Sequence, residues 1–207
     1  MFFLFGEQIR IKLLGEGRFD CPVCGDTQQY RRLAEVNYFT LFLLPIAPIS
    51  RLADYCQCAG CGSSFDPDGQ LVPAYLGGVR RALVYIMMGY RMEDHKGTVR
   101  ELWQKLTGAA IDDSEIGMEM KDIRDSGEDI FSFMKAQAYH LNALGKEKVI
   151  EAAFLMTYAC CEIEHQDRLR VNLIGNALGV PLEFVEAIVN KIRASNYYGI
   201  RRNLVVS

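Results

Sequence analysis

The chain has 207 residues, of which 50% are hydrophobic and 24% charged, and its formal net charge is −3. This composition is typical of a folded protein of one or two domains and excludes a disordered, charge-rich tail. The slight acidic excess also argues against broad nucleic-acid binding, because such binding needs clustered Lys and Arg to neutralise phosphates.

The apolar segments of the sequence do not match targeting or membrane signals. Residues 1–5 are apolar but lack the basic region and the cleavage site of a signal peptide. The longest apolar run, residues 38–49, is shorter than the roughly 20 residues that a bilayer requires. Because the seven cysteines also suit a reducing compartment, we expect a cytoplasmic protein without a transmembrane segment.

The first seventy residues carry the pattern of a small β-sheet. Apolar and polar residues alternate in residues 8–14, as they do in half-buried strands. Residues 2–5, 29–38 and 53–57 are further strand segments, and residues 65–69 have the composition of a turn. The sequence therefore predicts an antiparallel sheet that ends near residue 70.

Two copies of a Cys-x-x-Cys-Gly pattern lie in this β region. Zn²⁺ prefers four thiolates in a tetrahedron, and two such turns can supply them. The glycine after each pair permits positive φ, so that backbone N–H groups can point at the sulfurs. The pattern predicts a closed structural zinc site without an open position for catalysis. The predicted ligands are Cys21, Cys24, Cys58 and Cys61.

Cys56 lies close to this pattern and has an open role. It precedes Cys58 by two residues, and positions i and i+2 of a strand share a face, so Cys56 could compete for the ion. We prefer Cys58 and Cys61 because they repeat the spacing and the trailing glycine of the first pair. A redox Cys-x-x-Cys is less consistent with the sequence, because no βαβ pattern surrounds either pair.

The apolar run at residues 38–49 admits two interpretations. Its aromatic and β-branched residues favour strand, and Pro45 and Pro48 require a turn or an edge. The run could supply the core that a small ribbon otherwise lacks, or it could form an exposed surface for a partner protein or a membrane. The residues predicted for such a surface are Phe39, Phe42, Leu44 and Ile46.

From about residue 79 the hydrophobic period becomes that of helices. The helix over residues 146–162 has an apolar stripe wide enough for a buried central helix. A serine cap and a glycine C-cap mark two of the boundaries. The predicted helices cover residues 79–90, 99–106, 114–124, 130–144, 146–162, 166–178 and 181–194.

Together these patterns predict an α+β protein, in which a small antiparallel β zinc ribbon precedes an all-α bundle of about seven helices. The change of period from strands to helices sets the boundary between the two parts. The predicted divisions are residues 1–70 for the ribbon, 71–78 for a linker, 79–196 for the helical domain and 197–207 for a C-terminal tail.

The β region resembles a zinc-ribbon family of small bacterial and fungal proteins. The matching motifs are FFLFG at residues 2–6, CPxCG at 21–25, YFTLFLLPIxP at 38–48 and CxxCGxxF at 58–65. The resemblance implies that the four cysteines bind zinc. It does not imply an activity, because the family has no settled biochemical role.

The helical region resembles the TerB-like domain of tellurite-resistance proteins. The best matching segments are residues 152–159 and 173–180. That family has an acidic metal site built on Ala-Asp-Gly and a later Glu. Here Cys160 and Cys161 replace Asp-Gly, and Asp167 replaces the Glu, so the resemblance implies the helical fold without the acidic site.

Other titratable clusters have an ordinary structural interpretation beside a functional one. His165 and its acidic neighbours could bind a second metal ion or could simply cap a helix. The basic residues of the ribbon could contact nucleic acid or could form a solvated face. No phosphate loop, nucleophile elbow or carboxylate pair is recognisable, so no catalytic residue is predicted. The basic residues in question are Arg10, Lys12, Arg18, Arg31 and Arg32.

These observations favour a non-enzymatic zinc-binding adaptor whose partner is another protein, with a link to a stress or metal response. One alternative is a nucleic-acid-binding zinc ribbon. Another is a thiol-redox sensor that uses either Cys56 or the neighbouring pair Cys160 and Cys161. The alternative interpretation of this pair is two buried thiols in the core. Peripheral membrane association is a further alternative for the exposed interpretation of the apolar run.

Overall fold

The computed structural model describes residues 4–68 and 71–202. These residues form a four-stranded antiparallel sheet followed by seven α-helices, which confirms the predicted α+β class. Parts of the segments predicted as a strand at 2–5, a turn at 65–69 and a tail at 197–207 lie outside the described residues.

The chain forms two compact units. The first contains the sheet, and the second contains most of the helices. The first unit comprises Met1–Ala74 and Tyr139–Gly145, and the second comprises Tyr75–Ala138 and Lys146–Ser207.

The sheet has the order β1-β2-β3-β4, and its first three strands are longer than the sequence predicts. Cross-strand pairing continues through Gly15 and Gly17, which interrupt the alternating pattern of β1. Gly17 lies beneath Tyr30, where a Cβ would come within 2.7 Å of the ring. The strands are β1 (Phe5–Cys21), β2 (Asp26–Leu41), β3 (Leu44–Cys58) and β4 (Ser64–Phe65).

The apolar run forms the end of the hairpin between β2 and β3. Phe42 and Leu43 make the two-residue connection, and both have positive φ, 51° and 66°. Pro45 and Pro48 lie in β3, beside irregularities in the register with β2. Within the described residues β4 pairs with β3 only at its opposite end, so the prolines occupy an edge, where a missing N–H is tolerated.

The core of the sheet unit includes a cluster at the end that carries the cysteines. Cys21, Cys58 and Phe65 are each 1% exposed, and Phe19 packs edge-on against Phe65 with the ring centroids 5.2 Å apart. Toward the hairpin, β1 exposes large apolar side chains that include Ile9. The sheet unit is therefore closely packed at its cysteine end and exposes apolar residues toward the other.

The second unit is built around α5. Its residues 149–157 are all buried, as its wide apolar stripe predicts. α1 begins inside the segment 71–78, for which the sequence predicts a linker, while the limits of independently folding domains stay a prediction. The helices are α1 (Tyr75–Gly89), α2 (Lys96–Thr107), α3 (Asp113–Ser126), α4 (Ile130–Gln137), α5 (Ala143–Cys160), α6 (His165–Ala177) and α7 (Leu182–Ala194).

A buried ion pair joins α1 to α3 within the second unit. The Glu119 carboxylate contacts Arg80 Nε at 2.6 Å and Arg81 Nε at 2.7 Å. Arg81 also pairs with Asp122 and stacks over the Phe133 ring at 4.3 Å. None of the described helices is both long enough and apolar enough to cross a membrane.

The predicted helix over residues 130–144 is wrong in its second half. α4 ends at Gln137, and α5 begins only at Ala143. The Asn142 carboxamide oxygen accepts the Gly145 N–H at 2.9 Å, which is the hydrogen bond of a helix N-cap. An N-cap residue has non-helical backbone, so the chain starts a new helix here instead of continuing the old one.

Candidate metal centre

Each pair of cysteines lies on a tight turn that follows a strand. β1 ends at Cys21 and β3 ends at Cys58. Because both strands run antiparallel to β2, they end at the same end of the sheet. Gly25 N–H donates to the Cys21 carbonyl at 2.9 Å, and Gly62 N–H donates to the Cys58 carbonyl at 3.0 Å. The two glycines have φ of 78° and 74°, a conformation that disfavours any residue with a Cβ.

The sheet brings the four predicted ligands into one group. The sulfurs of Cys21, Cys24, Cys58 and Cys61 all lie within 4.8 Å of one another. The Sγ atoms of Cys21 and Cys61 are 3.8 Å apart, and those of Cys24 and Cys58 are 3.9 Å apart. A tetrahedral ion with metal–sulfur bonds of about 2.3 Å requires edges of about 3.8 Å. The group is therefore positioned to bind one metal ion.

The four thiols are free and are only partly accessible to solvent. Cys21 and Cys58 are buried, whereas Cys24 and Cys61 are half-buried. Phe19 and Phe65 pack against this group. Four protein sulfurs would fill a tetrahedral shell, so an ion bound here would have no position left for a substrate.

The environment of the site shifts the thiol pKa values in opposite directions. Burial and the neighbouring Cys21, Cys58 and Cys61 thiols raise the pKa of Cys24 to about 12. Burial also acts to raise the pKa of Cys61, but hydrogen bonds from Ser63 and from two cysteines lower it to about 7. Metal binding must therefore displace protons, and the affinity for metal should rise with pH.

Cys56 lies beside the site but outside the four-sulfur group. It pairs with Arg32 of β2 and with Phe65 of β4, and it is half-buried. Burial raises the pKa of its thiol, and Arg32 partly offsets this. The shared face expected for Cys56 and Cys58 does not bring the fifth sulfur into the group.

Asn142 contributes to this region, although no sequence pattern predicts it. Asn142 Nδ2 donates to the Gly62 carbonyl at 2.7 Å, and its N–H donates to Ser64 Oγ at 3.3 Å. The segment Tyr139–Gly145 thus packs against the second cysteine turn, within the first unit. The one local signal is the preference of Asn for helix N-caps, which locates a helix start but not this contact.

A network around Asp54 links β2, β3 and the same segment. Asp54 accepts two hydrogen bonds from Arg32, at 3.0 and 3.1 Å, and one from Arg51 at 2.9 Å. The Arg32 hydrogen bond outweighs burial, and together with Arg51 it lowers the pKa of Asp54. His140 Nδ1 lies 3.2 Å from the Asp54 carbonyl oxygen, which accepts a hydrogen bond from that nitrogen.

Several residues of the predicted basic group of the ribbon are engaged in ion pairs or ring contacts. Arg31 pairs with Glu16 at 3.3 Å, and Arg32 pairs with Asp54. Lys12 lies 5.1 Å from the centre of the Tyr38 ring. These contacts neutralise or occupy much of the positive charge that nucleic-acid binding would use.

The residues predicted for an interaction surface lie near the hairpin end of the sheet. Phe42, Leu44 and Ile46 are more than half exposed, at 54%, 65% and 59%. Phe39 is half-buried, with its ring centroid 6.0 Å from that of Phe5. The exposed interpretation of the apolar run therefore fits the structure, and binding at this surface stays a prediction.

The clusters of the second unit have other contacts. Glu164 and Asp167 form the capping box of α6, and Glu162 pairs with Arg202 at 3.0 Å. Burial raises the pKa of the Cys160 thiol to about 12. Among the described residues, the four cysteines of the sheet are the group of His, Cys, Asp or Glu that could hold a metal ion.

Comparison of the chain with protein-family models, with curated proteins and with solved structures finds no match. The site is therefore interpreted from its own geometry. That geometry is four clustered cysteines in an antiparallel sheet, followed by helices, which is consistent with a zinc ribbon.

Proposed function

We propose that the chain is a non-enzymatic zinc-binding adaptor, in which the metal holds the sheet unit in shape for binding. The observation that carries this proposal is the group of four sulfurs within 4.8 Å of one another, two of whose distances, 3.8 and 3.9 Å, match the edge of a zinc–thiolate tetrahedron. Thiolate ligands in a tetrahedron favour zinc over the harder cations that prefer oxygen. A closed shell of this kind contributes to folding rather than to a reaction.

The partner of the adaptor is proposed to be another protein. The helical unit supports this as a TerB-like interaction domain, through its seven-helix architecture and the motif resemblance. A stress or metal response in the cytoplasm is the proposed setting. The sheet offers a second binding surface, since its hairpin end exposes Phe42, Leu44 and Ile46.

The two alternatives have less support. Arg31 and Arg32 are engaged in ion pairs, which weakens the nucleic-acid hypothesis. Burial raises the pKa of Cys56 and of Cys160, and a thiol with a raised pKa forms little of the reactive thiolate. The redox hypothesis therefore lacks an activated cysteine at these two positions.

A series of single Cys→Ser variants tests the proposal through metal content. Cys21→Ser, Cys24→Ser, Cys58→Ser and Cys61→Ser should each lower zinc retention sharply, because each removes one of the four sulfurs. Cys56→Ser is the matched control, and it should keep one zinc per chain. Metal analysis after dialysis gives the result, and equal retention in all five variants would refute the proposed ligand set.

A further inference from the structure

The hairpin end of the sheet carries a group of exposed apolar side chains, here called the apolar tip. Each of its members is more than half exposed, and Leu43 at the turn reaches 76%. Phe42 N–H donates to the Leu4 carbonyl at 2.9 Å, so the start of β1 is joined to the turn. The apolar tip consists of Leu4, Phe5, Phe42, Leu43, Leu44 and Ile46.

The turn of the apolar tip does not have the residues that its backbone conformation favours. A two-residue hairpin connection with positive φ at both positions strongly favours Asn-Gly. Here the two positions are Phe42 and Leu43, with φ of 51° and 66°. Large side chains in the left-handed region are strained. The hairpin therefore places two large apolar groups at its outermost point at a cost to its own backbone.

Among the described residues of the strands, no charged residue lies close to the apolar tip. Residues 36–50 contain no Asp, Glu, Lys or Arg. The nearest charged residue in the ladder is Glu7, which pairs with Phe39, three residues before Phe42. At about 3.3 Å per residue, the uncharged zone is about 10 Å deep.

The uncharged zone has apolar or uncharged residues on both faces of the sheet. Paired residues of an antiparallel ladder share a face, so Phe5, Leu41 and Leu44 lie on one face. Thr40 and Pro45 pair on the other face, and Thr40 is buried. On the first face Phe5 and Leu44 are more than half exposed, and an apolar medium can surround this face together with the turn.

We propose that the apolar tip inserts into the boundary between the headgroups and acyl chains of a lipid bilayer. Amphipathic helices at this boundary bury their apolar face about 5–10 Å deep, and the uncharged zone of the hairpin has a similar depth. This inference rests on the proposed function, because the metal centre holds the sheet that presents the tip. It assigns a lipid surface to the hairpin end, which is the second binding surface of the proposed function, and leaves the protein partner to the helical unit.

The charge above the tip gives the insertion a weak preference for anionic lipid. Arg10 and Arg51 both pair with Val36, six residues before Phe42, and therefore lie about 20 Å from the turn. With the tip inserted, they face the headgroups across roughly one Debye length. Arg51 is partly neutralised by Asp54, and the negative Glu7 lies closer to the tip, so anionic lipid should raise the affinity a few-fold at most.

The test is flotation of the zinc-loaded full chain with unilamellar vesicles, either of phosphatidylcholine alone or with added phosphatidylserine. The wild type should float with both. The double variant Phe42→Asn, Leu43→Gly supplies the preferred turn residues and should lower vesicle affinity at least about tenfold. Its zinc content should equal that of the wild type, and its thermal stability should equal or exceed that of the wild type. The control Met118→Asn removes a side chain in α3 that is 61% exposed and should leave flotation unchanged.

Three outcomes would overturn the inference. The wild type could fail to float, or the double variant could float as well as the wild type. Alternatively, light scattering could show self-association that depends on Phe42 and Leu43 without vesicle binding, which would make a second copy the occupant. If every variant retained zinc, these outcomes would contradict the membrane inference but not the proposed zinc-binding function. Zinc content therefore distinguishes failure of the inference from failure of the proposed function.

Discussion

Gly60, between Cys58 and Cys61, lies directly against the metal centre. A Cβ at this position would come within 3.0 Å of Cys24 Sγ and 2.8 Å of Gln28 Oε1. Such distances require something to move, and the sulfur is held by the turn around it. Gly60 therefore leaves little room for a side chain beside the sulfur of Cys24.

Gly60→Ala should therefore weaken zinc binding roughly tenfold, the size of effect that changes near metal ligands usually have. Competition with a chromophoric chelator measures it. Gly15→Ala is the matched control, because a Cβ at Gly15 meets nothing within 4 Å. Equal zinc affinities for the two variants would contradict the packing described for Gly60.

Asp54 provides a second residue-scale prediction, which depends on pH. Its pKa is lowered in the folded chain, chiefly by Arg32, so its stabilisation is present above the unfolded pKa of about 3.9. That stabilisation is lost as the pH falls through the folded pKa. Asp54→Asn should lower the free energy of unfolding by about 1–3 kcal/mol at neutral pH.

Urea unfolding at neutral and acidic pH checks this prediction. The difference between wild type and Asp54→Asn should shrink as the pH falls below about 4. Glu16→Gln, in an exposed pair with Arg31, should change the unfolding free energy by less than about 0.5 kcal/mol. A difference for Asp54→Asn that stays constant with pH would be inconsistent with the ion pair.

At the scale of elements, the start of α5 is tied to the second cysteine turn. Asn142 both caps the helix, through Gly145, and donates to the Gly62 carbonyl. Asp129, which accepts from Phe131 and Ser132 at the start of α4, caps its helix without such a contact. Of these two N-cap residues, Asn142 also contacts the second cysteine turn, whereas Asp129 does not.

Asn142→Ala should cost about 1–3 kcal/mol of stability and should also lower zinc retention, because it removes both contacts. Asp129→Ala should cost about 1 kcal/mol and leave zinc retention unchanged. Thermal unfolding together with metal analysis separates the two. Unchanged zinc retention in both variants would mean that Asn142 has no influence on the metal centre.

Sequence patterns predict the turns and helices that depend on interactions between residues close together in the chain. The two cysteine turns follow from the Cys-x-x-Cys-Gly spacing, and the buried α5 follows from its apolar stripe. The break at Asn142 did not follow, because its partners Gly62 and Ser64 are some 80 residues away in sequence. Exposure of the apolar tip was equally undetermined, since the same apolar composition serves a core or a surface.

At the scale of the whole molecule, the two units have different sources of stability. The helical unit buries many large side chains, including Phe154 and Leu155 of α5 and Ile116 of α3. The sheet unit has a small cluster at its cysteine end and exposes Ile9 and Ile11 on β1. Because small β-units rarely bury enough surface to be stable alone, the sheet unit should depend on metal and the helical unit should not.

Hydrogen exchange of the zinc-loaded and chelator-treated chain tests this dependence most directly. We expect chelation to remove amide protection from β1, β2 and β3, because metal-binding energy is folding energy for such a unit. Protection of α5 from Lys146 onward should remain close to that of the zinc-loaded chain. Unchanged protection of the three strands after complete removal of zinc would contradict the account.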